Sequence, residues 1–60
     1  MQVKFINSGT QQDLGFKEVD VQSLKLDHTD APYAIVSNPF VAGDSLRAEF
    51  KGSAWVVDLD

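Results

Sequence analysis

Metal-binding or acid–base chemistry in this sequence would have to come from one short polar segment near its middle. Asp27, His28 and Asp30 stand close together there, and the chain has no other histidine and no cysteine. Carboxylates and an imidazole can hold a divalent cation, and a histidine can act as a general base. The segment lacks the glycine and distal glutamate of a calcium loop, and its aspartates are typical of a hydrogen-bonded turn. We therefore predict a turn, with a small metal-binding or enzymatic site at Asp27, His28 and Asp30 as an alternative.

Other sequence patterns associated with catalysis or nucleotide binding are missing. No serine stands in a nucleophile-elbow pattern, and the four glycines are scattered rather than grouped before a lysine. We therefore predict no catalytic residue, no cofactor and no bound metal, and we expect the protein not to be an enzyme.

A different segment favours binding of another protein. Phe40 and Val41 follow Asn38-Pro39 and precede Gly43, so both apolar side chains are predicted to lie in a loop. An aromatic side chain in a loop is a typical anchor of a protein–protein interface. The alternative is that Phe40 folds back and covers one end of the core.

Charged residues are distributed unevenly along the chain. Nine Asp and Glu outnumber five Lys and Arg, which gives a formal net charge of −4 at pH 7. The stretch between Lys25 and Arg47 contains no Lys or Arg, but it contains Asp27, Asp30 and Asp44. We predict that these three aspartates steer a partner with a basic surface, the alternative being that they only keep the surface soluble.

Composition also restricts the partners and the compartment. An acidic chain repels phosphates, so nucleic-acid binding would require a fold that gathers Lys4, Lys17 and Lys25. No apolar run approaches the ~20 residues of a membrane-spanning helix, and the first residues lack the pattern of a secretion signal. The absence of cysteine excludes a disulfide framework and a zinc ribbon. We therefore expect a cytoplasmic protein with neither a nucleic-acid nor a membrane partner.

These residues must be positioned by β-strands, because apolar and polar residues alternate along most of the chain. Strands are predicted over residues 3–7, 16–26, 33–37, 45–50 and 55–60, and residues 8–15 are predicted to form a loop. In the second strand the apolar positions change from odd, at Val21, to even, at Leu24. This change predicts a bulge or turn near Gln22-Ser23. A helical turn after Asp30, with Pro32 in its first turn, is the alternative for residues 31–37.

The last two strands carry the clearest alternation. Leu46, Ala48 and Phe50 are predicted to share one face of a strand, and Lys51-Gly52-Ser53 to form the turn of a hairpin. The returning strand is predicted to direct inward the side chains of Trp55, Val57 and Leu59.

The pattern Gly43-Asp44-x-Leu46-x-Ala48-x-Phe50, followed by Trp55, resembles the opening hairpin of small SH3-like barrels such as Tudor and KOW-type domains. The resemblance covers about 15 of the 60 residues. It implies a small barrel and no particular ligand, because the aromatic residues of a cage for methylated side chains do not follow the hairpin.

Taken together, the sequence predicts one all-β domain over residues 1–60, a small antiparallel barrel or bent sheet of about five strands. Its predicted function is that of a protein-binding regulator or inhibitor. The predicted contact residues form an acidic and apolar surface that comprises Asp27, Asp30, Phe40, Val41 and Asp44. A structural subunit that self-assembles through its strand edges, as in a homodimer, is the alternative.

Overall fold

A computed structural model describes residues 1–26 and 32–60 and confirms the all-β class. Its strands are β1 (Gln2–Asn7), β2 (Gln12–Glu18), β3 (Val21–Lys25), β4 (Tyr33–Ser37), β5 (Ser45–Lys51) and β6 (Ala54–Asp58). They form a single sheet in the order β2-β1-β6-β5-β4-β3. The sheet thus has six strands rather than about five, because the predicted strand over residues 16–26 divides into β2 and β3.

The amino-terminal boundary of β2 differs from the prediction. Residues 8–15 were expected to form a loop because they are polar, yet β2 begins at Gln12. An edge strand with a solvated face tolerates polar residues, so polarity alone did not mark the end of the loop.

One pair of neighbouring strands is parallel, so the sheet is mixed rather than antiparallel as predicted. β1 and β6 run side by side in the same direction, with Val3 opposite Trp55 and Phe5 opposite Val57. The pairing extends past β6, because the Leu59 N–H donates to the Ile6 carbonyl oxygen (2.8 Å). The two ends of the chain therefore meet in the middle of the sheet.

Alternation of apolar residues along the strands places a core on one side of the sheet. Seven apolar side chains are buried on one face, here called the inner face, and they are Val3, Phe5, Val19, Ala34, Val36, Ala48 and Val57. The predicted hairpin of β5 and β6 is confirmed, with Phe50 opposite Trp55 and Lys51 opposite Ala54. Its turn places Gly52 at φ 65°, as the two-residue turns of hairpins require.

Two bulges bend the outer strands of the sheet. In β2 the register shifts between Gly15 and Asp13, which leaves Leu14 unpaired against β1. In β3 the register shifts between Val21 and Ser23, at Gln22. The second bulge confirms the prediction of a bulge or turn near Gln22-Ser23, which was based on the change of apolar positions from odd to even.

The sheet is bent but not closed. β2 and β3 are its two edges, and they follow each other in the chain through Val19 and Asp20. The Val19 N–H donates to the Met1 carbonyl oxygen (2.9 Å), and the Asp20 carbonyl oxygen accepts from the Ser37 N–H (2.9 Å). The adjacent residues Val19 and Asp20 thus bond to opposite halves of the sheet. In the described residues, however, no ladder of backbone hydrogen bonds links β2 to β3. Closure into a barrel is therefore not confirmed.

Strand structure over Tyr33–Ser37 replaces the alternative of a helical turn at these positions. Residues 27–31, which include the predicted turn, lie outside the described residues. Within the two described ranges there is no helix of the length and hydrophobicity needed to cross a membrane.

Candidate partner-binding loop

The connection between β4 and β5, residues 38–44, is held together by the side chain of Asn38. Its Oδ1 accepts hydrogen bonds from the backbone N–H groups of Phe40 (2.8 Å) and Val41 (3.2 Å). Its Nδ2 donates to Asp44 Oδ2 (3.1 Å). Asparagine is suited to this role because its short amide can bond to backbone groups two and three residues further along.

Backbone hydrogen bonds close the same loop. The Asn38 N–H donates to the Asp44 carbonyl oxygen (3.0 Å), and the Asp44 N–H donates to the Val41 carbonyl oxygen (3.2 Å). Gly43 lies at φ 80°, a conformation that side-chain-bearing residues rarely adopt. The path of the loop is therefore determined locally, by Asn38, Gly43 and the restricted φ of Pro39.

Phe40 both contacts the core and is exposed to solvent. Its ring meets the ring of the buried Phe5 edge to face, with centroids 5.4 Å apart and an interplanar angle of 88°. The Lys17 Nζ lies 5.5 Å from the centroid of the Phe40 ring. Even so, Phe40 remains 49% exposed. The two sequence-based alternatives for Phe40, an interface anchor and a cover for the core, are therefore compatible with each other.

Val41 is the more accessible of the two apolar side chains, at 55% exposure. Its backbone is fixed at both the N–H and the carbonyl oxygen, as described above. The loop therefore presents two neighbouring apolar side chains on a constrained backbone. Such an arrangement lowers the conformational entropy that a partner would have to remove on binding.

Asp44 has a structural contact that the sequence did not predict. Its carboxylate accepts from the Asn38 side chain while remaining exposed. Asp44 therefore lies in the same loop as Phe40 and Val41, as predicted. Asp27 and Asp30 fall outside the described residues, so their place relative to this loop stays a prediction, as does the alternative metal site with His28.

Three residues that shape this loop were missed by the sequence-based reasoning: Asn38, Phe5 and Lys17. Asn38-Pro39 was used only to predict a loop, although an asparagine before Pro-Phe also indicates a side-chain-capped turn. Phe5 and Lys17 contact Phe40 from β1 and β2, far away in sequence. No local signal could have identified them.

The carboxylate of Asp58 holds the start of the turn between β1 and β2. Asp58 Oδ1 accepts from the backbone N–H groups of Asp60 (3.0 Å) and Ser8 (3.1 Å). These hydrogen bonds, in that order of importance, hold the pKa of Asp58 below its ordinary value. The carboxylate at Asp58 therefore has a structural use, independent of any partner.

The three lysines of the nucleic-acid alternative are not gathered in one patch. Lys4 lies on the outer face of β1, opposite Phe16, whereas Lys17 lies beside Phe40 over the inner face. Lys25 belongs to β3, which is separated from β1 by three strands.

Metal-ligand groups and pockets were sought in the part of the chain that the structure describes. No three of its His, Asp or Glu side chains are grouped as metal ligands, and residues 1–26 and 32–60 enclose no pocket. Comparison of the chain with protein families, with curated proteins and with solved structures finds no match.

Proposed function

We propose that this protein is a small non-enzymatic regulator or inhibitor that binds a partner protein through the 38–44 loop. The observation that carries the proposal is the loop itself. It holds Phe40 and Val41 about half exposed, on a backbone fixed by Asn38.

The contacts of Phe40 favour a role as an anchor. The ring already rests on Phe5, so it loses little further freedom when a partner covers its exposed side. Aromatic side chains with few rotatable bonds contribute large contact areas at low entropic cost. Val41 extends the apolar surface beside it.

Charge determines what kind of partner surface would match. The chain carries a net charge of −4, and the loop contributes Asp44. In the proposal, Asp27, Asp30 and Asp44 accelerate association with a basic surface that contains an apolar pocket for Phe40 and Val41. The proposed place of action is the cytoplasm, which fractionation of the native cells would test.

Site-specific photo-crosslinking in the native cells tests the binding surface. A photoreactive amino acid at Val41 should capture a discrete partner, whereas the same group at Ser53, in the β5–β6 turn, should not. Val41→Asp should abolish binding of that partner by the purified protein, with an unchanged NMR spectrum outside the loop. Capture of the same proteins from both positions, or undiminished binding by Val41→Asp, would contradict the proposal.

The steering role of the aspartates is tested separately with the captured partner. Replacing Asp27, Asp30 and Asp44 by Asn preserves shape and keeps one acceptor oxygen on each side chain but removes three negative charges. Association should slow and lose most of its dependence on salt, while dissociation changes little. An unchanged association rate would remove these residues from the site and leave Phe40 and Val41 as the anchors.

A further inference from the structure

The outer side of β3 is an unpaired strand edge with a self-complementary arrangement of residues. β3 pairs with β4 on one side only, and no described strand lies beyond it. Two apolar side chains of β3 are substantially exposed, Val21 at 40% and Leu24 at 45%. We propose that a second copy of this chain pairs antiparallel with β3, so that two six-stranded sheets become continuous.

Backbone direction makes this pairing possible. The carbonyl of Asp20 points to β4, where it accepts from the Ser37 N–H. Backbone groups of successive strand residues point to alternate sides, so the N–H and carbonyl of Val21 face away from β4. At the bulge, Gln22 and Ser23 together occupy the place of one residue opposite Ile35. The N–H and carbonyl of Leu24 therefore also face away from β4. Val21 and Leu24 can therefore bond to a second strand.

One antiparallel register satisfies the side chains as well. It places Val21 opposite the partner's Leu24, two inner-face side chains that lie opposite Val36 and Ala34 of β4 within each monomer. It also places Gln22 opposite the partner's Ser23, so that the two bulges coincide. Cross-strand residues must share a face, and this register meets that condition at every position of β3.

The same register brings opposite charges together. Asp20, opposite Ser37, and Lys25, opposite Tyr33, are both exposed. Neither makes an ion pair with another described residue. In the proposed pairing, Asp20 lies opposite the partner's Lys25, and the two-fold symmetry forms this contact twice. Opposite charges in directly facing positions stabilise a strand pair.

The other edge of the sheet does not offer this arrangement. In β2 the charges are already used, since Asp13 pairs with Lys4 (3.0 Å) and Lys17 lies over Phe40. A two-fold pairing of β2 that set Asp13 opposite the partner's Lys17 would also join opposite faces, because the bulge at Leu14 lies between them. The edge suited to a second copy is therefore β3 and not β2.

The proposed dimer would present two copies of the 38–44 loop, each unchanged from the monomer. The 38–44 loop follows β4 at the end of the sheet where Asp20 meets Ser37. Because the paired β3 strands run antiparallel, the two loops of a dimer lie at opposite ends of the joined strands. The dimer does not depend on the proposed function, and its test reads only molecular mass.

Charge reversal at the two facing positions tests the register. Sedimentation equilibrium of the unmodified chain should show a reversible monomer–dimer equilibrium. Lys25→Asp or Asp20→Lys alone should lower the association constant by about tenfold, because like charges then face each other twice. Lys51→Asp is the matched control, with the same change of charge in the β5–β6 hairpin, and it should leave dimerisation unchanged.

Mixing the two single variants separates this register from general effects of charge or folding. At one end of the mixed pair, the carboxylate introduced by Lys25→Asp faces the ammonium introduced by Asp20→Lys. At the other end, the unmodified Asp20 of the first variant faces the unmodified Lys25 of the second. Heterodimers should therefore form at least as well as the unmodified dimer. A monomeric unmodified chain at all concentrations would overturn the proposal, and so would a mixture that associates no better than its separate components.

Discussion

The edges formed by β2 and β3 are consecutive in sequence, each carries a bulge, and they differ in how their polar groups are used. In β2, Asp13 contacts both Lys4 and the backbone N–H of Gly15 (2.9 Å), so the bulge and the charges protect the edge together. In β3, the side chain of the bulge residue Gln22 bonds to the neighbouring strands of its own sheet. Its Nε2 donates to Ser37 Oγ (3.3 Å), and its Oε1 accepts from Ser45 Oγ (2.8 Å). Natural sheets commonly protect their edges with charges and bulges, and here only β2 follows that practice fully.

A bulge alone therefore does not protect an edge. In β2, the register that sets Asp13 opposite the partner's Lys17 joins opposite faces, and both charges already have contacts within the chain. In β3, the register in which the two bulges coincide joins like faces and would also set Asp20 opposite the partner's Lys25. Substitutions that weaken one edge or the other should separate the two cases.

The largest expected effect concerns the core beneath each edge. Phe5→Ala, next to β2, removes a fully buried ring and should cost about 3–5 kcal/mol of unfolding free energy. A domain of this length has only about 3–9 kcal/mol in total, so the variant should be largely unfolded. Leu24→Ala, on the β3 edge, removes a side chain that is 45% exposed and should cost less than about 1.5 kcal/mol. Urea denaturation followed by Trp55 fluorescence measures both, and equal losses would contradict the distinction.

The next largest effect concerns the bulges. Gly15 in β2 lies at φ 78° with open space where a Cβ would stand, so Gly15→Ala should add backbone strain without a clash. The expected cost is about 1–2 kcal/mol, or roughly 5–15 °C in melting temperature. Ser23→Ala in the β3 bulge, which has no positive φ, should change stability by no more than about 0.5 kcal/mol. Calorimetry of both variants provides the test, and a Gly15→Ala protein as stable as Ser23→Ala would show that the β2 bulge can relax.

A smaller, stabilising effect is expected at the turn that leads into β2. Gln11 lies at φ 58°, the one positive value among non-glycine residues of the described chain. Gln11→Gly should relieve this strain and stabilise the fold by about 0.5–1 kcal/mol after the greater entropy of an unfolded glycine is subtracted. Gln12→Gly, one residue later and inside β2, should instead destabilise. Chemical denaturation that ranks the two variants in the opposite order would refute the assignment of strain to Gln11.

The smallest effect is the dependence of the β2 edge on pH. The Gly15 N–H, and then the Lys4 ammonium, hold the pKa of Asp13 below its ordinary value of 3.8. Such a carboxylate stabilises the fold above the unfolded-state pKa, and the contribution is lost as the pH falls through the lower folded-state pKa. Asp13→Asn should therefore flatten the acid side of the stability profile below about pH 4. Denaturation of both proteins across this range measures the difference, and superimposable acid limbs would contradict it.

Some properties of the 38–44 loop depend on neighbouring residues, and others depend on residues far away in the sequence. The sequence correctly predicted that Phe40 and Val41 lie in a loop, because Asn38-Pro39 and Gly43 restrict the backbone within a few residues. It left open whether Phe40 also covers the core, and it did not identify Phe5 as the contact, because that contact joins β1 to the β4–β5 connection. The exposure of Phe40 depends on this distant contact, and so does its suitability as an anchor.

The sequence by itself determined the positions of β1, β4 and β5, the β5–β6 hairpin and the bulge at Gln22. Each depends on alternation or turn chemistry within about ten residues, where local geometry decides which side chains share a face. Tertiary structure alone decided that β1 and β6 are parallel neighbours and that β2 and β3 become the two edges. Those pairings join residues far apart in the chain, and their stability comes from the shared burial of Val3, Phe5 and Val57 rather than from any local pattern.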